Sequence, residues 1–190
     1  DRVEWLVIDD GSTDRTADVA REAGADQVIT LSKHSGLAAA FSAGLEASLA
    51  RGADIIVNTD ADNQYMAADI RSLVAPIMAG DADVVVGARP IETIASFPLW
   101  KKRLQRWGSA VVRTMSGTEV EDATSGFRAF NKAAALRLNV FNRHTYTLET
   151  LIQSGQAGFA IDSVPIRVNP PVRPSRLVHS QSGYVIRSAL

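Results

Sequence analysis

The chain has no cysteine in 190 residues, which excludes disulfides and thiolate metal sites. No apolar run reaches the ~20 residues a helix needs to cross a bilayer, so no stretch is expected to span one. Asp1-Arg2-Val3-Glu4 has neither the charge pattern nor the apolar region of a signal peptide. Aromatic residues are scarce at 6%. Trp100 and Trp107 share an apolar stripe instead of interleaving with basic residues, and no nucleic-acid motif is present, so no nucleic-acid partner is expected. A net charge of −1 excludes a polyelectrolyte binder. Acidic residues are missing from two stretches, Thr93 to Thr118 and Ser163 to Leu190. The first holds Lys101, Lys102, Arg103, Arg106 and Arg113, and the second Arg167, Arg173, Arg176 and Arg187. That asymmetry points to an anionic partner near the second half.

What is present is one ordinary globular composition, 46% hydrophobic and 22% charged, long enough for its own core. Val3 to Ile8 predicts a strand running into the turn Asp9-Asp10-Gly11-Ser12-Thr13-Asp14. A helix follows over 15–23, then a strand at Gln27-Val28-Ile29-Thr30. Leu37, Phe41, Leu45 and Leu49 recur at helical spacing, and Gly52 stops that helix. Ile55 to Asn58 is a strand, and Ala67 to Ala79 a helix with Ile70, Leu73, Val74, Ile77 and Met78 on one face. Pro76 within it predicts a kink or an early break. Asp83 to Gly87 is the next strand. Alternation of strand and helix predicts an α/β domain, a mostly parallel sheet covered by helices on both faces.

The second half is less regular. A helix is predicted over 99–115, with Trp100, Leu104, Trp107, Val111 and Met115 on one stripe and basic residues elsewhere. It fits either an interfacial helix facing anionic lipid or a core helix with a solvated back. A strand is predicted over 126–130, helices over 132–138 and 146–155, and an extended segment over 159–168. One domain is expected to occupy 1–168. Residues 169–190, with Asn169-Pro170-Pro171-Val172-Arg173-Pro174, are expected to form a basic arm and the start of a helix.

Chemistry-bearing residues gather at predicted strand exits. Asp60 and Asp62 follow a strand directly, where open α/β sheets bind ligands. Two carboxylates two residues apart repel, and a divalent cation carrying a phosphate relieves that. The other reading is a solvated turn capping the next helix. Asp9 and Asp10 end the first strand likewise, and could share one crevice with Asp60 and Asp62 or merely open a helix. Gln64 is either an oxygen ligand or a solvated amide. Arg89, at the next exit, is either a diphosphate clamp or a surface arginine. In Ser125-Gly126-Phe127-Arg128, the glycine permits a close ligand approach and the arginine could hold a phosphate; a plain bend reads equally well. Glu149 is a possible base or a solvated helix residue.

Val7-Ile8-Asp9-Asp10-Gly11-Ser12-Thr13-Asp14, the helix from Gly36 to Leu49, Thr59-Asp60-Ala61-Asp62-Asn63-Gln64, Val84 to Arg89 and Asp122 to Arg128 come in one order. In series they resemble a family 2 glycosyltransferase of the GT-A fold. More narrowly, they resemble the dolichyl-phosphate mannose synthase-like, polyprenyl-phosphate glycosyltransferases. The resemblance implies a nucleotide-diphosphate sugar donor and inversion at the anomeric carbon. It places the donor against Asp9, Asp10, Ser12, Lys33 and Gly36, and against Asp60, Ala61 and Asp62. It gives Asp60, Asp62 and Gln64 to a Mg²⁺ or Mn²⁺ ion, and names Asp62, Arg89 and Arg128 for catalysis. Arg103, Arg106 and Ser125 are implied for an acceptor phosphate. It further implies a polyprenyl-phosphate acceptor and a cytoplasmic protein at the cytoplasmic membrane face; an oligomer is left open. Two other readings stand: a saccharide or protein hydroxyl acceptor, for which Glu149 or Asp122 would be the base, and a non-catalytic nucleotide-sugar-binding module. A pyrophosphorylase is disfavoured because no glycine-rich phosphate loop is visible. The family also carries a strand and a Pro-x-x-x-Glu-like segment before Val3, lying centrally and contributing to the nucleotide pocket. We expect chain beyond these residues, or a second chain, to supply it. Relatives often continue past the other end into a membrane-associated helix or transmembrane segments.

Overall fold

A computed structural model describes residues 2–90, 114, 117–118, 120–142 and 145–170. The predicted basic helix over 99–115, with Arg103 and Arg106, lies outside the described residues apart from Thr114, as does the arm from 171 onward. The elements in order are β1 (Leu6–Asp9), α1 (Thr16–Glu22), β2 (Gln27–Thr30), α2 (Leu37–Ala50), β3 (Ile55–Asn58), a 3-10 turn (Ala67–Asp69), α3 (Ile70–Ala79), β4 (Val84–Ala88), β5 (Arg128–Asn131), α4 (Lys132–Ala135), α5 (Thr147–Gln156) and β6 (Ile161–Pro165). No helix among the described residues is long and apolar enough to cross a membrane.

The strands form two sheets. β1 pairs with β2 in parallel, and the other four lie in the order β3-β5-β4-β6. β5 is antiparallel to both β3 and β4, while β4 and β6 are parallel. The sheet is therefore more mixed than the alternating pattern predicts, because the late strand β5 enters between β3 and β4. Among the described residues each of β1 and β3 pairs along one edge only. Sharing one crevice required β1 and β3 in a single sheet, and no pairing between described residues joins them. The resemblance places its additional strand beside β1.

β4 is buried along its whole length, as expected of an apolar strand covered on both faces. Val84, Val85 and Val86 have no exposed surface; each contributes about 1.5–3 kcal/mol by burial. Phe41 and Leu45 bring the stripe of α2 against Ile56, Val84 and Phe130. Leu73 of α3 packs with Val85, Phe127 and Ala129 on the second core. α3 runs through Pro76 to Ala79 and ends on Gly80, whose φ of 80° is left-handed. The early break expected at the proline is thus not realised. Pro76 sits in the last turn, and its own carbonyl accepts from the amide of Asp81 at 2.9 Å.

This topology fixes where the site lies. β5 is antiparallel to its neighbours, so its first residue meets the ends of both: Arg128 is in register with Asn58 of β3 and Val86 of β4. Residues leaving β3 and β4 therefore meet residues entering β5.

Candidate active site

At this junction Asp60 follows β3, Arg89 follows β4 and Gly126 precedes β5. Gly126 is wedged between two tyrosines. Its amide donates to the Tyr65 hydroxyl at 3.2 Å, and its carbonyl accepts from Asn58 Nδ2 at 2.8 Å and from the Tyr146 hydroxyl at 3.3 Å. Asn58 Nδ2 also donates to the Tyr146 hydroxyl at 2.7 Å. The Tyr146 ring is stacked on Phe41 at 3.9 Å between centroids, and Tyr65 on Phe127 at 5.0 Å. A Cβ on Gly126 would lie 2.9 Å from Asp60 Oδ2 and 3.1 Å from the Tyr146 hydroxyl oxygen. A side chain there would displace the Asp60 carboxylate.

Asp60 is half-buried, and no hydrogen bond to its carboxylate is made among the described residues. Burial first, and the neighbouring charge of Asp62 second, raise its pKa above the usual carboxylate range, against the pull of Arg89 and Arg128. An enclosed carboxylate without a donor is poorly satisfied as an anion. Asp62 is exposed, and its Oδ1 accepts from the Gln64 amide at 3.0 Å. Asn63 between them is left-handed at φ 60°. The chemistry of this pair suits a hard cation. Among the described residues no group of three His, Asp or Glu side chains gathers for a metal.

Arg89 does not stand free as a surface arginine. Its Nε and Nη2 donate to the two oxygens of Asp122 at 2.6 and 3.0 Å, and Nη2 also to Thr124 Oγ1 at 2.8 Å. Burial works to raise Asp122, but the charge and hydrogen bonds of Arg89 outweigh it and hold Asp122 below the usual range. Arg89 also lies near enough to Asp60 to lower its pKa, while Asp122 and Thr124 fix its guanidinium in place.

Two expectations fail on geometry. Arg128 is completely buried. It donates to the carbonyls of Ser125 (2.8 Å), Ala123 (2.7 Å) and Thr147 (2.6 Å), and to Thr150 Oγ1 at 2.9 Å. Burial lowers its pKa to about 10, so it stays protonated, but as the internal brace of the loop entering β5 and not as a phosphate ligand. Ser125 is also fully buried, its Oγ accepting from the Phe127 amide at 3.3 Å, so it does not present itself to an acceptor phosphate. Both candidate bases are occupied too. Asp122 has no exposed surface, and Glu149 accepts from the amides of Phe141 and Asn142 at 3.1 Å each.

Asp9, Asp10, Ser12, Lys33 and Gly36 gather at a second corner, the exits of β1 and β2. Asp9 is buried and accepts from the Ser12 amide at 3.1 Å; hydrogen bonding from the Ser12 side chain is the largest cause of its lowered pKa. Asp10 accepts from the amides of Ser35 (2.7 Å) and Gly36 (2.8 Å) and from His34 Nδ1 at 2.8 Å. It thereby supplies from another element the carboxylate that favours the positive start of α2. Gly11, at φ 67°, lets the turn touch the chain at Lys33, whose carbonyl carbon lies 2.6 Å from a would-be Cβ.

Sequence reasoning missed Asn58, Tyr65 and Tyr146. Neither tyrosine belongs to a sequence motif; the one general signal is that a tyrosine packed in a core needs a partner for its hydroxyl, and for Asn58 there is none.

A mixed sheet flanked by helices, with paired carboxylates leaving one strand, is an arrangement of the GT-A type. The model of the family described as glycosyl transferase family 2 matches residues 1–138, and the chain belongs to that family. It is 29% identical over 176 residues to polyprenol monophosphomannose synthase of Mycolicibacterium smegmatis, covering 87% of this chain and 66% of that one. It is 30% identical over 171 residues to undecaprenyl-phosphate mannosyltransferase of Micrococcus luteus, covering 85% and 70%. The chain thus spans about two thirds of the length of such relatives. The fold is shared with glucosyl-3-phosphoglycerate synthase of Mycobacterium tuberculosis, solved with Mn²⁺, UDP-glucose and phosphoglyceric acid (TM-score 0.65, 20% identity, 97% of this chain and 68% of that one).

Proposed function

We propose that the protein transfers a sugar, with inversion, from a nucleotide-diphosphate donor to a polyprenyl phosphate at the cytoplasmic face of a membrane. The observation that carries the choice of acceptor is the state of the two candidate bases. Asp122 is locked to Arg89, and Glu149 caps a loop. A hydroxyl acceptor would have to lose a proton to a base during attack. A phosphate monoester has a second pKa near ~6, so at neutral pH it is already an anionic nucleophile. The names of the two mannosyl-transferring relatives support the same acceptor class.

The donor diphosphate would lie across the exits of β3 and β4. Asp60 and Asp62, with Gln64 as a further oxygen, would hold Mg²⁺ or Mn²⁺; when bound, the ion neutralises charge developing on the departing diphosphate. Arg89, held in place by Asp122, adds fixed positive charge beside it. Asp9, Asp10, Ser12, Lys33 and Gly36 form the nucleoside end, which the strand expected beside β1 would complete. Arg103 and Arg106 would meet the acceptor phosphate.

The test offers full-length protein a panel of labelled nucleotide sugars with either a polyprenyl phosphate or the matching polyprenol. We expect label in the lipid phosphate, release of nucleoside diphosphate and complete loss with chelator. Labelling of the alcohol alone would overturn the acceptor assignment, and tight donor binding without transfer to any acceptor would favour a binding module.

A further inference from the structure

We propose that Asn169 is a positioning residue for the metal-binding loop, an inference that rests on the reading of Asp60 and Asp62 given above. Within residues 61–64 the Asp62–Gln64 contact is local. Among the described residues, the hydrogen bonds that tie these four to distant chain both come from Asn169. Its backbone amide donates to the Gln64 carbonyl at 2.8 Å and its side-chain Nδ2 to the Asn63 carbonyl at 2.9 Å. The adjacent pair, Tyr65 and Val168, forms an isolated antiparallel bridge. One asparagine thus grips the turn that carries Asp62 and the left-handed Asn63.

The strap bearing Asn169 is itself anchored at two points. The Ile166 amide donates to the carbonyl of Ala88, the residue before Arg89, at 3.0 Å. Arg167 donates through its backbone amide (2.7 Å), Nε (3.0 Å) and Nη2 (2.5 Å) to Asp69 at the start of α3. The strap therefore ties the exit of β4 to the loop leaving β3, the two places that supply Arg89 and the carboxylate pair. Metal sites need ligands held to within about 0.5 Å. An exposed turn with one long-range anchor depends on that anchor for such precision.

The experiment titrates Mn²⁺ into full-length protein with UDP or GDP, following free Mn²⁺ by electron paramagnetic resonance and metal-free Tm in parallel. Asn169→Ala and Asn169→Leu remove the side-chain donor and keep the backbone bond, whereas Asn169→Gln retains an amide donor. Loss of one partly exposed hydrogen bond predicts roughly two- to tenfold weaker Mn²⁺ binding in the first two variants. Their metal-free Tm should stay near wild type, turnover at saturating Mn²⁺ should be retained, and Asn169→Gln should recover part of the affinity. Wild-type Mn²⁺ affinity in Asn169→Ala and Asn169→Leu would overturn the positioning role. So would a loss of affinity that follows a fall in metal-free Tm whether or not the donor is kept. Failure of the wild-type protein to bind Mn²⁺ with either nucleotide would overturn the metal reading of Asp60 and Asp62, and the positioning role with it.

Discussion

Gly126→Ala is the sharpest single perturbation of the site. The new methyl would meet Asp60 Oδ2 at 2.9 Å, the Tyr146 hydroxyl at 3.1 Å and Asp60 Oδ1 at 3.3 Å. The shortest contact falls short of an unstrained separation of ~3.5 Å by roughly 0.6 Å. The segment at Gly126 cannot easily retreat, because Tyr65 and Asn58 hold its amide and carbonyl and Arg128 braces it from below. Asp60 must therefore absorb much of the displacement. Overpacking of this kind costs about 1–3 kcal/mol, or about 2–12 °C in Tm for a chain of this size. Because a 1 Å misplacement can cost about a hundredfold in turnover, a shift near half that should cost on the order of tenfold. The assay measures Tm by calorimetry and the Mn²⁺ dependence of transfer. Adding Tyr146→Phe removes the hydroxyl contact and keeps the contact with Asp60, so the Mn²⁺ defect should persist in the double variant. Wild-type Tm and Mn²⁺ dependence in Gly126→Ala would refute the close approach of Asp60.

Asp60→Asn should raise the Tm of metal-free protein at neutral pH while abolishing stabilisation by Mn²⁺. A carboxylate whose folded pKa is raised opposes folding once it ionises, so metal-free wild type should lose stability as pH rises above ~4, and the variant should lose less; Tm against pH in chelator checks this. Asp122 behaves oppositely: its folded pKa is lowered, so its stabilisation is present at neutral pH and lost as pH falls below ~4 through the folded value. Asp122→Ala should cost about 3–5 kcal/mol by stranding Arg89, measured by urea unfolding at pH 7. Arg128→Met should remove the buried, charge-assisted hydrogen bonds to the carbonyls of Ala123, Ser125 and Thr147 at about 1.5–3 kcal/mol each and destroy soluble expression. A well-folded, inactive Arg128→Met protein would instead restore a phosphate-binding role.

Much of the first half was legible because its signals are local. The Leu37-Phe41-Leu45 stripe, the run from Val84 to Val86 and the turn at Asp9-Asp10 each carry their structure in neighbouring residues, and the elements fall within a few residues of expectation. Sheet order was not legible. Ala129 and Phe130 make β5 apolar, but nothing in that pattern states its direction or that it inserts between β3 and β4. The same limit governed the site. Asp60 and Asp62 stand out in the sequence, whereas the partners of Arg89, and two of the four of Arg128, lie tens of residues away. Arg89 meets Asp122 across 33 positions; Arg128 meets Thr150 across 22. An arginine's role depends on which oxygens surround it, and spacing alone does not show them.

The most direct test of the proposed site is thermal stabilisation of the full-length protein by a panel of nucleotide sugars, with Mn²⁺ and with chelator, in wild type, Asp60→Asn and Asp62→Asn. One donor class should raise the wild-type Tm only when Mn²⁺ is present, and both variants should lose that shift. Equal stabilisation in chelator, or a Mn²⁺-dependent shift that survives both substitutions, would contradict a cation held by Asp60 and Asp62.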